Sequence, residues 1–119
     1  MSRQACSVES AARRSGLSVN VIMFSKLLHL KDNATCNLYK SNFPIKFYSI
    51  DLDTFTQDTP LELFFSSSKL SNSEYSAVHK ADALRLLMVY KFGGFYLDLD
   101  YVVFNDLTHY HNIVVGNDE

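Results

Sequence analysis

Residues 75–104 carry the pattern that most constrains this chain: a long apolar run at helical period, a Gly93-Gly94 break, and an extended apolar run interrupted by Asp98 and Asp100. The apolar residues predict a helix from Tyr75 to Phe92, and the paired glycines predict its end. Between Ala81 and Tyr90 the only charged residues are Asp82 and Arg85. A helix that is apolar on nearly every side is expected to be buried, and buried charges must be paired or bound to a ligand. Phe95 to Phe104 is then expected as a strand. Helix, tight turn and strand in that order give the rhythm of an α/β sheet.

The rest of the chain fits the same class. Residues Ser2 to Ser15 suit a helix, and Gly16 stands where a left-handed cap would end it. Val19 to Phe24 and Ile45 to Ile50 are β-branched, apolar stretches expected as strands. Thr59-Pro60-Leu61-Glu62 has the form of a capping box and predicts a helix carrying Leu61, Leu63, Phe64 and Phe65 into the core. The polar stretches Lys26–Pro44 and Ser66–Ser73 are expected as loops, and Ile113–Gly116 as a further short strand. No repeat or linker divides the chain, so residues 1–119 are read as a single unit.

Composition narrows the function classes. Apolar residues make up 47% of the 119 positions, enough for a packed core, and the longest apolar run falls far short of a membrane span. A net charge of −2 leaves no basic footprint for nucleic acid or an acidic membrane. An anionic ligand would have to be met locally, by a metal, a helix end or a single Arg.

Asp98 and Asp100 are the main candidates for chemistry. In extended chain their side chains point to one face, with Cα atoms roughly 6.5 to 7 Å apart. Two convergent carboxylates suit a divalent metal with hard oxygen ligands, magnesium or manganese, its shell completed by phosphate oxygens and waters. The tripeptide alone says little, since Asp51-Leu52-Asp53 repeats it; polar residues trail that copy, which reads as a solvated turn. The second copy sits within an apolar run, where acids need partners. Asp82 and Arg85 fall on one helix face at i, i+3 spacing. They either neutralise each other or join the two acids in a cleft at the strand's carboxyl end.

The block from Val78 to Phe104, with Asp82-Ala83-Leu84-Arg85 and Gly93-Gly94-Phe95-Tyr96-Leu97-Asp98-Leu99-Asp100, resembles the DxD-containing sugar-binding region of the α-1,4-glycosyltransferases, the group of lactosylceramide 4-α-galactosyltransferase and α-1,4-N-acetylglucosaminyltransferase. Arg3 to Arg13 resembles the family's first helix, and Thr59-Pro60-Leu61 also has a counterpart. The resemblance implies a partial GT-A, Rossmann-like nucleotide-sugar-binding fold, incomplete at both ends. It implies a metal-dependent, retaining transfer of a hexose, galactose or N-acetylglucosamine, from a UDP-sugar donor to a glycolipid or glycan acceptor, as in glycosphingolipid biosynthesis. By position, Asp98 and Asp100 would hold Mn2+ or Mg2+ and the donor diphosphate. Asp82, Arg85, Tyr96 and Asp98 would line the donor-sugar site. The family's first nucleotide-binding strand and a signal anchor are expected before Arg3, and its acceptor-binding half after Asn117. The chain therefore reads as the donor-binding half of a larger enzyme on the lumenal side of the Golgi membrane, attached through an anchor that this chain does not include.

Other readings remain open on motif alone. Phe95 to Val102 also fits the apolar strand and D-x-D of haloacid-dehalogenase-type phosphatases, with Asp98 as nucleophile and Asp100 as general acid-base, although no Lys follows Asp100. A glycosidase pair would come from separate elements rather than one strand end. A non-catalytic remnant or binding module would keep the donor residues without acceptor binding. His109 and His111 lack a third ligand at useful spacing and read as surface residues. Cys6 and Cys36 are compatible with one disulfide or two thiols. No secretory signal opens the chain, whereas Asn33-Ala34-Thr35 is a glycosylation acceptor in an expected loop, which fits a lumenal setting.

Overall fold

In the computed structural model, residues 3–24 and 33–113 are described. Helix α1 (Arg3–Arg14) buries Ala5, Val8 and Ala11, whose three-residue spacing marks one helical face. On its exposed side Glu9 and Arg13 pair at 2.8 Å across one turn, acid before base, the order the helix dipole favours. Gly16 follows at φ +74°, the left-handed conformation expected of a glycine cap.

Strands β1 (Val19–Met23) and β2 (Ile45–Ser49) form where the β-branched runs predict them and pair as a two-stranded parallel sheet. Parallel neighbours need a crossover connection, and this one contains helix α2 (Asn33–Tyr39). The loop expected at the sequon is therefore corrected: Asn33 opens a helix, although its side chain lies outside the described residues. Leu38 explains that helix, since it packs into one buried cluster with Ala5 and Val8.

Packing divides the chain into two compact units, the first made of Met1–Met23, Leu27–Tyr48 and Leu99–Glu119, the second of Phe24–Lys26 and Ser49–Asp98. In the first, Val19, Val21, Ile45 and Phe47 cover the Ala5, Val8 and Leu38 cluster. The segment after Asp100 returns to α1. The buried Val103 donates its N–H to Ser10 Oγ at 3.0 Å, and Leu107 donates to the Ser15 carbonyl at 2.9 Å. The Arg13 guanidinium lies 4.5 Å over the Phe43 ring. Cys6 and Cys36 are both free thiols.

The second unit holds α3 (Leu52–Thr56), α4 (Glu62–Ser66), α5 (Ser68–Ser71) and α6 (Ser76–Phe92). Phe55 is its buried centre, with the Phe24 and Phe92 rings 5.2 and 6.0 Å away. The Lys91 ammonium stands 4.6 Å over that ring and donates to the Phe55 carbonyl. Helix α3 replaces the expected solvated turn: Asp51 caps it, accepting from Thr54 N–H and Thr54 Oγ1 at 3.0 Å each. At α4 the capping box does not form. Glu62 reaches back to the Asp58 N–H at 2.9 Å, and Leu61 becomes the N-cap. Nor does α4 carry its apolar residues inward, since Leu63 is 84% exposed. Within the Ser66–Ser73 run, expected as loop, Ser67 caps the short helix α5.

Helix α6 matches its predicted span to within a residue and ends at Gly93 and Gly94, with φ of +65° and +76°. Its expected burial is not found. Only Ala83 and Leu87 are buried, whereas Leu86 and Tyr90 are 68% and 69% exposed. The strand expected from Phe95 to Phe104 is also absent: residues 95–98 are irregular and Leu99-Asp100 form a turn. A strand exists only through ladder hydrogen bonds to a neighbour, and among the described residues the only ladder is β1 with β2. Ile113 is likewise not in a strand, and residues 114–116 lie outside the described residues.

Candidate functional site

Helix α6 positions the first two members of the site. Asp82 and Arg85, three residues apart, meet on one face, with Arg85 Nη2 at 3.2 Å from Asp82 Oδ1. The glycines after α6 then bring the chain back so that Arg85 Nη1 lies 3.5 Å from Asp98 Oδ2. Arg85 thus stands between two carboxylates separated by sixteen positions of sequence, Asp82 and Asp98.

Tyr96 closes the arrangement from a third side. Its hydroxyl donates to Asp98 Oδ1 at 2.9 Å, and its ring lies 5.4 Å from the Arg85 guanidinium carbon, within cation–π range. Burial of the phenol, then its hydrogen bond to Asp98 and the negative charge there, raise the Tyr96 pKa above its ordinary value of 10.0. Tyr96 is therefore a hydrogen-bond donor throughout the neutral range. Arg85 Nε is buried and has no hydrogen-bond partner. A buried donor without a partner is costly in a native site, and this one is available to an acceptor on a ligand.

The four donor-site residues read from the sequence, Asp82, Arg85, Tyr96 and Asp98, are thus together in one unit. Asp100 follows in the exposed turn, within the other unit. The extended-chain reason for aiming Asp98 and Asp100 at one face does not hold, because the chain turns at Leu99-Asp100. The acids are not in a buried run either: Asp98 is half-buried and Asp100 exposed. What remains is the chemistry of the donor set. Carboxylate oxygens are hard ligands that suit magnesium or manganese, and such ions are commonly held by one or two carboxylates with substrate phosphates completing the shell. Among the described residues no group of three or more His, Cys, Asp or Glu surrounds a metal position, so any cation here would depend on that completion.

His109 and His111 are exposed. Asp51 is engaged as the cap of α3. Sequence reasoning passed over Ser10, which holds Val103 on α1 three residues after Asp100; a lone serine in a helix gives no signal of such a distant contact.

Residues 2–118 match the model of the glycosyltransferase sugar-binding region containing the DXD motif. Lactosylceramide 4-alpha-galactosyltransferase of Mus musculus is 34% identical over 111 residues, 90% of this chain and 31% of that protein. The Homo sapiens protein of the same name is 32% identical over 114 residues, 92% of this chain and 32% of its own length. An uncharacterised protein of Arabidopsis thaliana is 29% identical over 100 residues, covering 83% of this chain and 15% of its own. The chain therefore spans about a third of the length of the galactosyltransferases it matches. No solved structure matches it.

Proposed function

The chain belongs to the family of glycosyltransferase sugar-binding regions containing the DXD motif, and from that premise we propose that it forms the donor side of a hexosyltransferase. In this reading the donor is a UDP-sugar carrying galactose or N-acetylglucosamine, and the hexose passes with retention to a glycolipid or glycan acceptor. The observation that supports it most is Arg85, paired with Asp82 and Asp98 at once while Tyr96 donates to Asp98. A planar cation with an unpartnered N–H suits the fork geometry of phosphate and sugar oxygens.

Asp98 and Asp100 would hold Mn2+ or Mg2+ in this reading. When bound, such a cation neutralises the diphosphate and stabilises the charge that develops on it as the sugar leaves. Arg85 binds donor oxygens through its free N–H. Asp82 pairs with the Arg85 guanidinium and would accept hydrogen bonds from donor-sugar hydroxyls, and the Tyr96 hydroxyl fixes the orientation of the Asp98 carboxylate. The names of the relatives support a glycolipid acceptor. The proposed setting is the lumenal side of the Golgi membrane, which the Asn33 sequon fits; among the described residues no helix is long and apolar enough to cross a membrane.

Sugar transfer from UDP-galactose and UDP-N-acetylglucosamine to lactosylceramide tests this function in the full chain with manganese. Transfer or release of one of these sugars, lost in Asp100→Ala and Arg85→Ala, is the expected result. A folded chain that binds UDP but releases neither sugar would instead identify a binding module. Hydrolysis of a generic phosphomonoester with magnesium would point to phosphatase chemistry.

A further inference from the structure

The Asp98 carboxylate is already engaged before any ligand arrives. Its Oδ1 accepts from the Tyr96 hydroxyl at 2.9 Å, and its Oδ2 faces Arg85 Nη1 at 3.5 Å. The Arg85 contact is long for a charge-assisted hydrogen bond, which ordinarily measures about 2.7–2.9 Å. Both side chains are also more than a third exposed, at 38% and 39%, so solvent weakens the pair. Arg85 has a second carboxylate to turn to, since Asp82 is 3.2 Å from its Nη2. Its Nε is buried and unpartnered. The guanidinium therefore sits on Asp98 in a weakly held position, with an alternative anion beside it and one donor still to satisfy.

We propose that Arg85 competes with a divalent cation for the Asp98 carboxylate, so that the cation binds well only once anionic donor oxygens draw the guanidinium away. This inference rests on the donor-site reading above and adds an order of events to it. A dication placed at Asp98 is repelled by a positive charge only a few ångströms from its ligand. A nucleoside diphosphate relieves that repulsion by taking over the Arg85 donors. Because coupling of two ligands is reciprocal, the nucleotide raises cation affinity by the same factor as the cation raises nucleotide affinity.

Removing the Arg85 charge then has opposite effects on the two ligands, whereas general damage to the site would weaken both. Manganese binding to the full chain without nucleotide, followed by the electron paramagnetic resonance signal of free Mn2+, provides the test. Arg85→Gln is expected to bind Mn2+ about three- to tenfold more tightly than the unaltered chain, and Arg85→Lys, which keeps the charge, to within about twofold of it. UDP binding at saturating Mn2+ is expected to weaken about tenfold or more in Arg85→Gln. Asp82→Asn, which removes the alternative partner, provides a second variant and is expected to weaken Mn2+ binding. If the unaltered chain binds Mn2+ and Arg85→Gln binds it equally or less tightly, the competition is overturned and the donor-site reading stands. Were no variant nor the unaltered chain to bind Mn2+, even with UDP present, both would fall.

Discussion

Tyr96 donates its hydroxyl to Asp98 Oδ1 at 2.9 Å while its ring lies 5.4 Å from the Arg85 guanidinium carbon. One side chain thus meets both the Asp98 carboxylate and the Arg85 guanidinium. Burial and the neighbouring carboxylate raise the Tyr96 pKa above 10.0. The folded value exceeds the unfolded one, so its stabilising contribution is fully present below pH 10 and is lost as pH rises through the raised value. Tyrosinate absorbance should show one of the seven tyrosines ionising later than a free phenol, and Tyr96→Phe should remove that transition. A Tyr96→Phe titration with the late transition intact would contradict the assignment.

Ser10 fixes the chain beyond Asp100 to α1 by accepting from the Val103 N–H at 3.0 Å and donating to the Ser7 carbonyl at 2.8 Å. Ser10→Ala leaves the buried Val103 N–H without this acceptor. The expected loss is about 1–2 kcal/mol, read as a lower urea midpoint with an unchanged slope. No shift in midpoint would mean that water replaces the serine.

Gly16 combines a left-handed φ of +74° with close neighbours: a Cβ there would lie 3.0 Å from both Asp106 Oδ2 and Thr108 Cγ2. Gly16→Ala should therefore destabilise by about 1–3 kcal/mol, seen as a fall in Tm. Asp106→Ala, which removes the nearest oxygens, should recover part of that loss when combined with it.

Asp106 Oδ1 accepts from the Thr108 N–H at 2.7 Å and from the Thr108 hydroxyl. These bonds lower the Asp106 pKa below 3.8. With the folded value depressed, the stabilising contribution is present above pH 3.8 and is lost as pH falls through the lowered value. Carboxyl NMR titration should place its inflection below that of an ordinary aspartate, and Thr108→Val should raise it toward the ordinary value.

The sequence was most informative where structure depends on near neighbours. The helix-favouring residues of α1 with Gly16 after them, the β-branched runs of β1 and β2, and the glycines after α6 all act locally, and those elements form where expected. The meeting of Arg85 with Asp82 and Asp98 was also legible, because helical spacing and a Gly-Gly turn bring these residues together. The strand through Asp98 and Asp100 was not, since a strand depends on a partner that its own residues do not encode. Burial of α6 failed for the same reason: apolar residues state a preference, and Leu86 and Tyr90 find nothing among the described residues to cover them. At Thr59 the capping box lost to a competing local bond, as Glu62 serves the Asp58 N–H. Asp51 did carry an overlooked local signal, an aspartate three residues before the Thr54 whose N–H and hydroxyl it receives.

The central proposal is that donor binding depends on a metal, and calorimetric titration of UDP with and without Mn2+ tests it most directly. The full chain is expected to bind UDP more tightly when Mn2+ is present, with that gain lost in Asp100→Ala and UDP binding weakened about tenfold or more in Arg85→Ala. UDP binding that is indifferent to Mn2+ and survives Asp100→Ala would contradict it.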